Sequence, residues 1–310
     1  MSAPARTPIT HVRHVGMAVP NFDDSVEFYR STWGLEVVAE DSGIAFFGTP
    51  AHPEQYIMRV RKDADKRLDL ISFAVDTDDD VDRMAQRLGS AGISIVREPD
   101  RLDTPGGGYG FRFFDPDGRL IEISSGVAER PFRALEPRES IPQKLSHVVI
   151  NSTDIGATKR FYENHLGFRL SDWLEDHMCF MRVRTDHHIL AISQGPHTSL
   201  NHVSFEMRGI DEYMRGTGRL TRSGQPPIWG PGRHGAGDNT FSYFLDPTGN
   251  VVEYTTELEK IEDENTWEPR RFEARPEAAD QWGTGGLITE QMIPAMFNDP
   301  DKGLWVPAPV

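Results

Sequence analysis

The chain carries one pattern twice, and that repetition limits the fold more than any other feature. His14-Val15-Gly16 is followed, fourteen residues after the histidine, by Phe28-Tyr29 and then Trp33-Gly34-Leu35. His147-Val148-Val149 is followed at the same distance by Phe161-Tyr162 and then Leu166-Gly167-Phe168. Ile71-Ser72-Phe73 matches Val203-Ser204-Phe205, and Phe114-Asp115-Pro116-Asp117-Gly118 with Ile121-Glu122 matches Leu245-Asp246-Pro247-Thr248-Gly249 with Val252-Glu253. His147, Val203 and Glu253 lie 133, 132 and 131 positions after their counterparts. Separate landmarks held at so constant an offset indicate a tandem duplication.

Within each copy the pattern restarts. An alternating strand (His11–Val19; Lys144–Asn151) leads into an amphipathic helix with an acidic start (Asp23–Thr32; Asp154–His165), which Gly34 or Gly167 ends. Short strands follow, the last of them at His188–Ile192 in the second copy. A second strand (Asp69–Val75; Asn201–Met207), helix (Asp78–Gly89; Ile210–Arg222) and set of strands complete each half. The expected fold class is α+β, built from four βαβββ-type modules. Residues 258–310 fall outside the repeat but hold Trp267, Trp282 and Trp305, too many aromatics for a low-complexity linker. They read as an ordered strap over the body or onto a neighbouring subunit.

Composition narrows the function. A net charge of −15 argues against a nucleic-acid or anionic-membrane binder, and no apolar run is long enough to span a membrane. A single cysteine, Cys179, forbids an intrachain disulfide, and Met1–Pro8 shows no cationic head before an apolar stretch. Both suit a cytoplasmic location.

The two copies differ where chemistry would sit. His14 and Glu122 match His147 and Glu253, but Leu70 stands where the second copy has His202. Core packing alone does not require His202, because the first copy packs with leucine. Two imidazoles and one carboxylate suit Fe(II) and leave positions open for substrate and O2. His147 sits in a run where Leu145, His147 and Val149 alternate onto one strand face.

At these residues the second half resembles the type I extradiol ring-cleaving dioxygenases of the vicinal oxygen chelate superfamily. The resemblance spans about residues 9 to 257 and is densest at Gly232-Arg233-His234, Tyr243, Asp246-Pro247-Thr248-Gly249 and Glu253. Ser242 departs from the pattern, since an apolar residue is usual before the tyrosine. The resemblance implies two tandem vicinal-oxygen-chelate domains, each a curved open barrel: residues 1–127, lacking a complete metal site, and catalytic residues 143–257, joined by a linker at 128–142. It implies metal ligands at His147, His202 and Glu253, with Fe(II) the expected metal and Mn(II) compatible with the same set. It places an acid–base histidine at His188, with His187 the adjacent competitor that strand alternation sends to the other face. It places a substrate-orienting histidine at His234 and a catalytic tyrosine at Tyr243. The implied activity is insertion of both atoms of O2 into a catechol, cleaving the ring next to the diol, by a homo-oligomeric enzyme.

Other readings keep the scaffold and change the chemistry: hydroquinone cleavage, a metal-dependent isomerase or lyase, or a metal-free small-molecule binding protein. Arg233, Arg270 and Arg271 are candidates for holding a substrate carboxylate, whereas Trp267 and Trp282 would wall off an apolar substituent. His11, His52, His165, His177 and His197 read as ordinary structural histidines, and His14 as a remnant of the duplication.

Overall fold

The computed structural model describes residues 7–309, so most of the Met1–Pro8 segment, on which the expected lack of an export signal rests, lies outside the described residues. The first half runs β1 (Ile9–Val19), α1 (Phe22–Glu27), β2 (Glu36–Asp41), β3 (Ile44–Gly48), β4 (Met58–Lys62), β5 (Arg67–Val75), α2 (Asp78–Ser90), β6 (Ile95–Arg101), β7 (Tyr109–Phe114) and β8 (Leu120–Ser125). The second runs β9 (Lys144–Ser152), α3 (Ile155–Phe161), β10 (Arg169–Leu174), β11 (Met178–Arg182), β12 (Leu190–Gln194), β13 (Ser199–Glu206), α4 (Ile210–Arg222), β14 (Trp229–Arg233), β15 (Thr240–Leu245) and β16 (Val251–Thr256). The chain thus forms four βαβββ modules, two to a sheet. The sheet orders are β2-β3-β4-β1-β5-β8-β7-β6 and β14-β15-β16-β13-β9-β12-β11-β10-β17, where β17 (Arg270–Phe272) comes from the tail. Among the described residues no helix is long and apolar enough to cross a membrane.

Two local features depart from the sequence reading, and both occur in each half. The helix after the first strand continues as a π-helical turn, Phe28–Trp33 and Tyr162–Leu166, before the left-handed Gly34 and Gly167. The wider turn lets adjacent Phe28 and Tyr29 both point inward, where they are 3% and 0% exposed. The second feature is a pair of β-bulges. The β9–β13 register skips Ser146 and Asn201, and the β1–β5 register skips Arg13 and Asp69 at the matching places and Thr10 besides. A bulge re-aims the side chains beside it. Leu145 therefore joins the hydrophobic core while His147 and Val149 face a cavity, which breaks the expected alternation at Leu145.

The halves meet through reciprocal contacts. The Tyr29 hydroxyl donates to Asp246 in the second half's Asp-Pro-x-Gly turn (2.8 Å), and the Tyr162 hydroxyl to Asp115 in the first half's (3.3 Å). Trp33 is the largest wedge at this junction. It is fully buried, its ring lies 4.0 Å from that of Tyr254, and it meets Phe205 and Phe244 edge-on. Tyr254 follows Glu253 on β16, so the wedge supports the strand that carries the carboxylate. Trp33→Ala is expected to destabilise the chain by about 3–5 kcal/mol, read from urea denaturation; a loss near that of an exposed residue would show that the junction contributes little.

Candidate metal centre

One rung of the second sheet organises the site. Across the strands the register aligns Trp229 (β14), Tyr243 (β15), Glu253 (β16), Ser204 (β13) and His147 (β9). Residues in register point to the same face of a sheet, so these side chains converge. Ser204 in the middle is small and leaves room between His147 and Glu253. His202, placed by the bulge at Asn201, completes the group. Ligand-type atoms of His147, His202 and Glu253 all lie within 4.8 Å of one another. The three residues singled out from sequence are therefore brought together.

The arrangement fits a divalent cation. Glu253 is fully buried, and neither carboxylate oxygen receives a well-aligned hydrogen bond, although the Ser204 and Tyr243 hydroxyls lie beside it. Burial pushes its pKa up, opposed by nearby His202 and His234. His147 Nε2 and His202 Nε2 face the same oxygen at 3.1 and 3.5 Å. Burial lowers the pKa of each imidazole to about 3, so both are neutral lone-pair donors at neutral pH. Their other nitrogens are occupied: His147 Nδ1 by Ser146 Oγ at 3.1 Å, and His202 Nδ1 by Asn201 Oδ1 at 2.7 Å. Such partners fix which nitrogen faces the centre. Asn201 and Ser146 carry no sequence signal beyond standing next to a histidine.

The remaining candidates surround the same space. His188, His234 and Tyr243 line a cavity of about 280 Å3 together with His147 and His202. The Tyr243 hydroxyl donates to His234 Nε2 (2.8 Å), and His234 Nδ1 donates to the Ala279 carbonyl (2.9 Å). Ala279 belongs to the tail helix α5 (Pro276–Ala279), a contact no local pattern announces. Ser242 does not disturb Tyr243, because its hydroxyl turns to the opposite face and meets Tyr213 Oη at 2.7 Å on α4.

Other expectations need correction. His188 and His187 precede β12 rather than lying in it, so strand alternation does not separate them; both are buried, and only His188 lines the cavity. Arg233, Arg270 and Arg271 do not reach it either, being paired with Asp238 and Glu257, with Asp172 and Glu259, and with Asp176. Trp267 and Trp282 stack on Arg270 and Arg233. The apolar wall is instead built by Ile288 and by α6 (Met292–Phe297), Ile293 included. A second cluster of Asp172, His187 and Glu259 has ligand-like spacing, but the Arg270 guanidinium already supplies its positive charge.

The first half shows the same rung without the cation site. Arg112, Glu122, Ser72 and His14 align in register. Arg112, in the place of Tyr243, donates to Glu122 through Nε (2.9 Å) and Nη2 (2.7 Å). Tyr56 packs on His14 with ring centres 4.5 Å apart, as His188 packs on His147 at 4.3 Å.

Removing one member of a buried charge pair is costly, whereas neutralising an unpaired buried charge is not. Glu253→Gln is therefore expected to leave the metal-free protein as stable as wild type or more so. Mn(II) at about 100 times its Kd should stabilise wild type by about 2.7 kcal/mol and the variant hardly at all. Denaturation with chelator and with metal checks both; equal gains in the two proteins would place the ion elsewhere.

A family model described as the Glyoxalase/Bleomycin resistance protein/Dioxygenase superfamily matches residues 11–123 and 144–254. Metapyrocatechase 2 of Cupriavidus necator is 27% identical over 91% of this chain and 92% of its own. A manganese-dependent 2,3-dihydroxybiphenyl 1,2-dioxygenase of Geobacillus genomosp. 3 is 24% identical over 83% of this chain and 87% of its own. The solved structure of a Mn(II)-bound glyoxalase from Novosphingobium aromaticivorans superposes with a TM-score of 0.90 at 43% identity, covering 96% of this chain and 98% of the other. The duplicated modules, the converging rung and the match over both halves make this chain a member of the glyoxalase/bleomycin resistance protein/dioxygenase superfamily, related along most of its length to extradiol ring-cleaving dioxygenases.

Proposed function

We propose that this enzyme inserts both atoms of O2 into a catechol bearing an apolar substituent and breaks the ring bond adjacent to the diol. The observation that carries the reading is a buried, unpartnered carboxylate facing two neutral imidazoles in a cavity that also holds His188, His234 and Tyr243. In this proposal His147, His202 and Glu253 hold Fe(II) or Mn(II). When bound, the metal supplies Lewis acidity toward the diol oxygens and redox reach toward O2.

The chain's own residues would do the rest. Tyr243, held by His234, would hydrogen-bond one diol oxygen. His234 keeps a fixed orientation because its far nitrogen is bound to the tail. His188, beside His147, is uncharged because burial and then His147 push its pKa well down. A neutral imidazole can accept a proton released by the diol and return it as the O–O bond breaks. Leu174, Met178, Phe180, Met292 and Ile293 exclude water and suit an apolar ring substituent. No arginine or lysine lines the cavity among the described residues, so a substrate carboxylate would be buried without a partner.

The isomerase or lyase alternative is kept as a second reading because the 43%-identical structure is named a glyoxalase and not a dioxygenase. Oxygen uptake separates the two, since isomerisation consumes none. The proposed enzyme should turn alkyl- or arylcatechols into yellow ring-fission products with matching O2 uptake, and a chelator should stop both. Its kcat/KM for such catechols should exceed that for a carboxylated catechol by about 10-fold or more. Ring fission of none of these, or a preference for the carboxylated compound, would contradict the assignment.

A further inference from the structure

His188 stands beside a second buried histidine that the proposed reaction does not use. His187 and Asp172 are both fully buried. His188 Nδ1 lies 2.9 Å from His187 Nδ1, and His187 Nε2 lies 2.8 Å from Asp172 Oδ2. The two rings meet nitrogen to nitrogen, so a single proton lies between them and one ring donates it while the other accepts. Asp172 determines which. An ionised carboxylate only accepts, so His187 presents an N–H to it at Nε2; a His187 with that as its one proton offers a lone pair at Nδ1. His188 must then be protonated on Nδ1, which leaves Nε2 unprotonated for the cavity.

Asp172 is fixed as the anion. Burial alone would raise its pKa, but hydrogen bonds from His187 and Arg270 hold it below the ordinary value. The Arg270 backbone N–H donates to Oδ1 at 2.7 Å, and its guanidinium Nη2 to Oδ2 at 2.7 Å. Arg270 belongs to β17, so the tail strand locks the carboxylate in place. Gly237 closes the other side: at its φ of +84° a Cβ would lie 3.2 Å from both His187 Nδ1 and His188 Cε1. The paired rings thus have little freedom to turn.

We propose that Asp172, acting through His187, is a positioning residue that sets the tautomer of His188 so that its Nε2 faces the cavity as a proton acceptor. This rests on the acid–base reading of His188. Asp172→Asn, made throughout together with Arg270→Leu to remove the guanidinium that faces Oδ2, is informative because its carbonyl oxygen stays with the backbone amide of position 270 and turns the NH2 toward His187. Both histidines would then exchange tautomers.

The test is nitrogen-detected NMR of histidine-labelled, metal-free protein, together with ring-cleavage kinetics of the metal-loaded enzyme. Wild type should show His188 protonated on Nδ1, and Asp172→Asn should show it protonated on Nε2. The variant's kcat should fall about 10- to 100-fold with a nearly unchanged KM. His187→Leu, which removes the acceptor, should lose kcat similarly. His187→Asn, whose carbonyl oxygen stands near the lost Nδ1, should recover most of it. A wild-type His188 protonated on Nε2 overturns the inference, and that spectrum decides even if a variant does not fold. An Asp172→Asn protein with both tautomer and kcat unchanged overturns it as well. A wild-type protein with the Nδ1 tautomer but no ring cleavage would uphold the tautomer assignment and refute the acid–base reading on which its role rests.

Discussion

Glu253 puts a carboxylate inside a nine-stranded sheet with no exposed surface and no well-aligned hydrogen bond. An isolated buried anion costs several kcal/mol, so its surroundings must compensate or the group must take up a proton. The two halves meet this constraint differently. In the first, Glu122 receives Arg112 and the Ser72 hydroxyl, and its pKa is lowered despite burial, with His14 and Arg112 nearby. In the second, the arginine is a tyrosine, the leucine is a histidine, and the carboxylate faces imidazole lone pairs. One backbone supports an internal ion pair on one side and a vacant electrostatic demand on the other.

The tail ties that demand to a defined cavity. Its β17 extends the sheet at β10, its α5 carbonyl orients His234, and its α6 lines the cavity. Carbonyls of Met296 and Phe297 accept hydrogen bonds from Asn151 and Ser199, which fasten α6 to the strands beneath. The chain then reaches the first half, where Trp305 packs on Phe114. The segment outside the repeat therefore shapes both the polar orientation and the apolar wall of the site.

A tandem repeat supplies its own alignment, which is why the modules, the Asp-Pro-x-Gly turns and the difference between Leu70 and His202 are legible in the sequence. The bulges at Ser146 and Asn201 are not, because a skipped residue has no composition of its own and only its partner strand reveals it. The π turns are hidden for a similar reason: their apolar residues also satisfy an ordinary helical pattern. His187 and His188 defeat an alternation argument because the chain has not yet entered β12. Arg270 and Arg271 attract attention as isolated cations, but their partners Asp172 and Asp176 lie far away in sequence.

The most direct measurement is anomalous diffraction from crystals loaded with Fe(II) or Mn(II) without oxygen. One peak per chain is expected, within about 2.3 Å of His147 Nε2, His202 Nε2 and a Glu253 oxygen, and none between His14 and Glu122. An ion bound in the first half, or none at the three second-half side chains, would contradict the account.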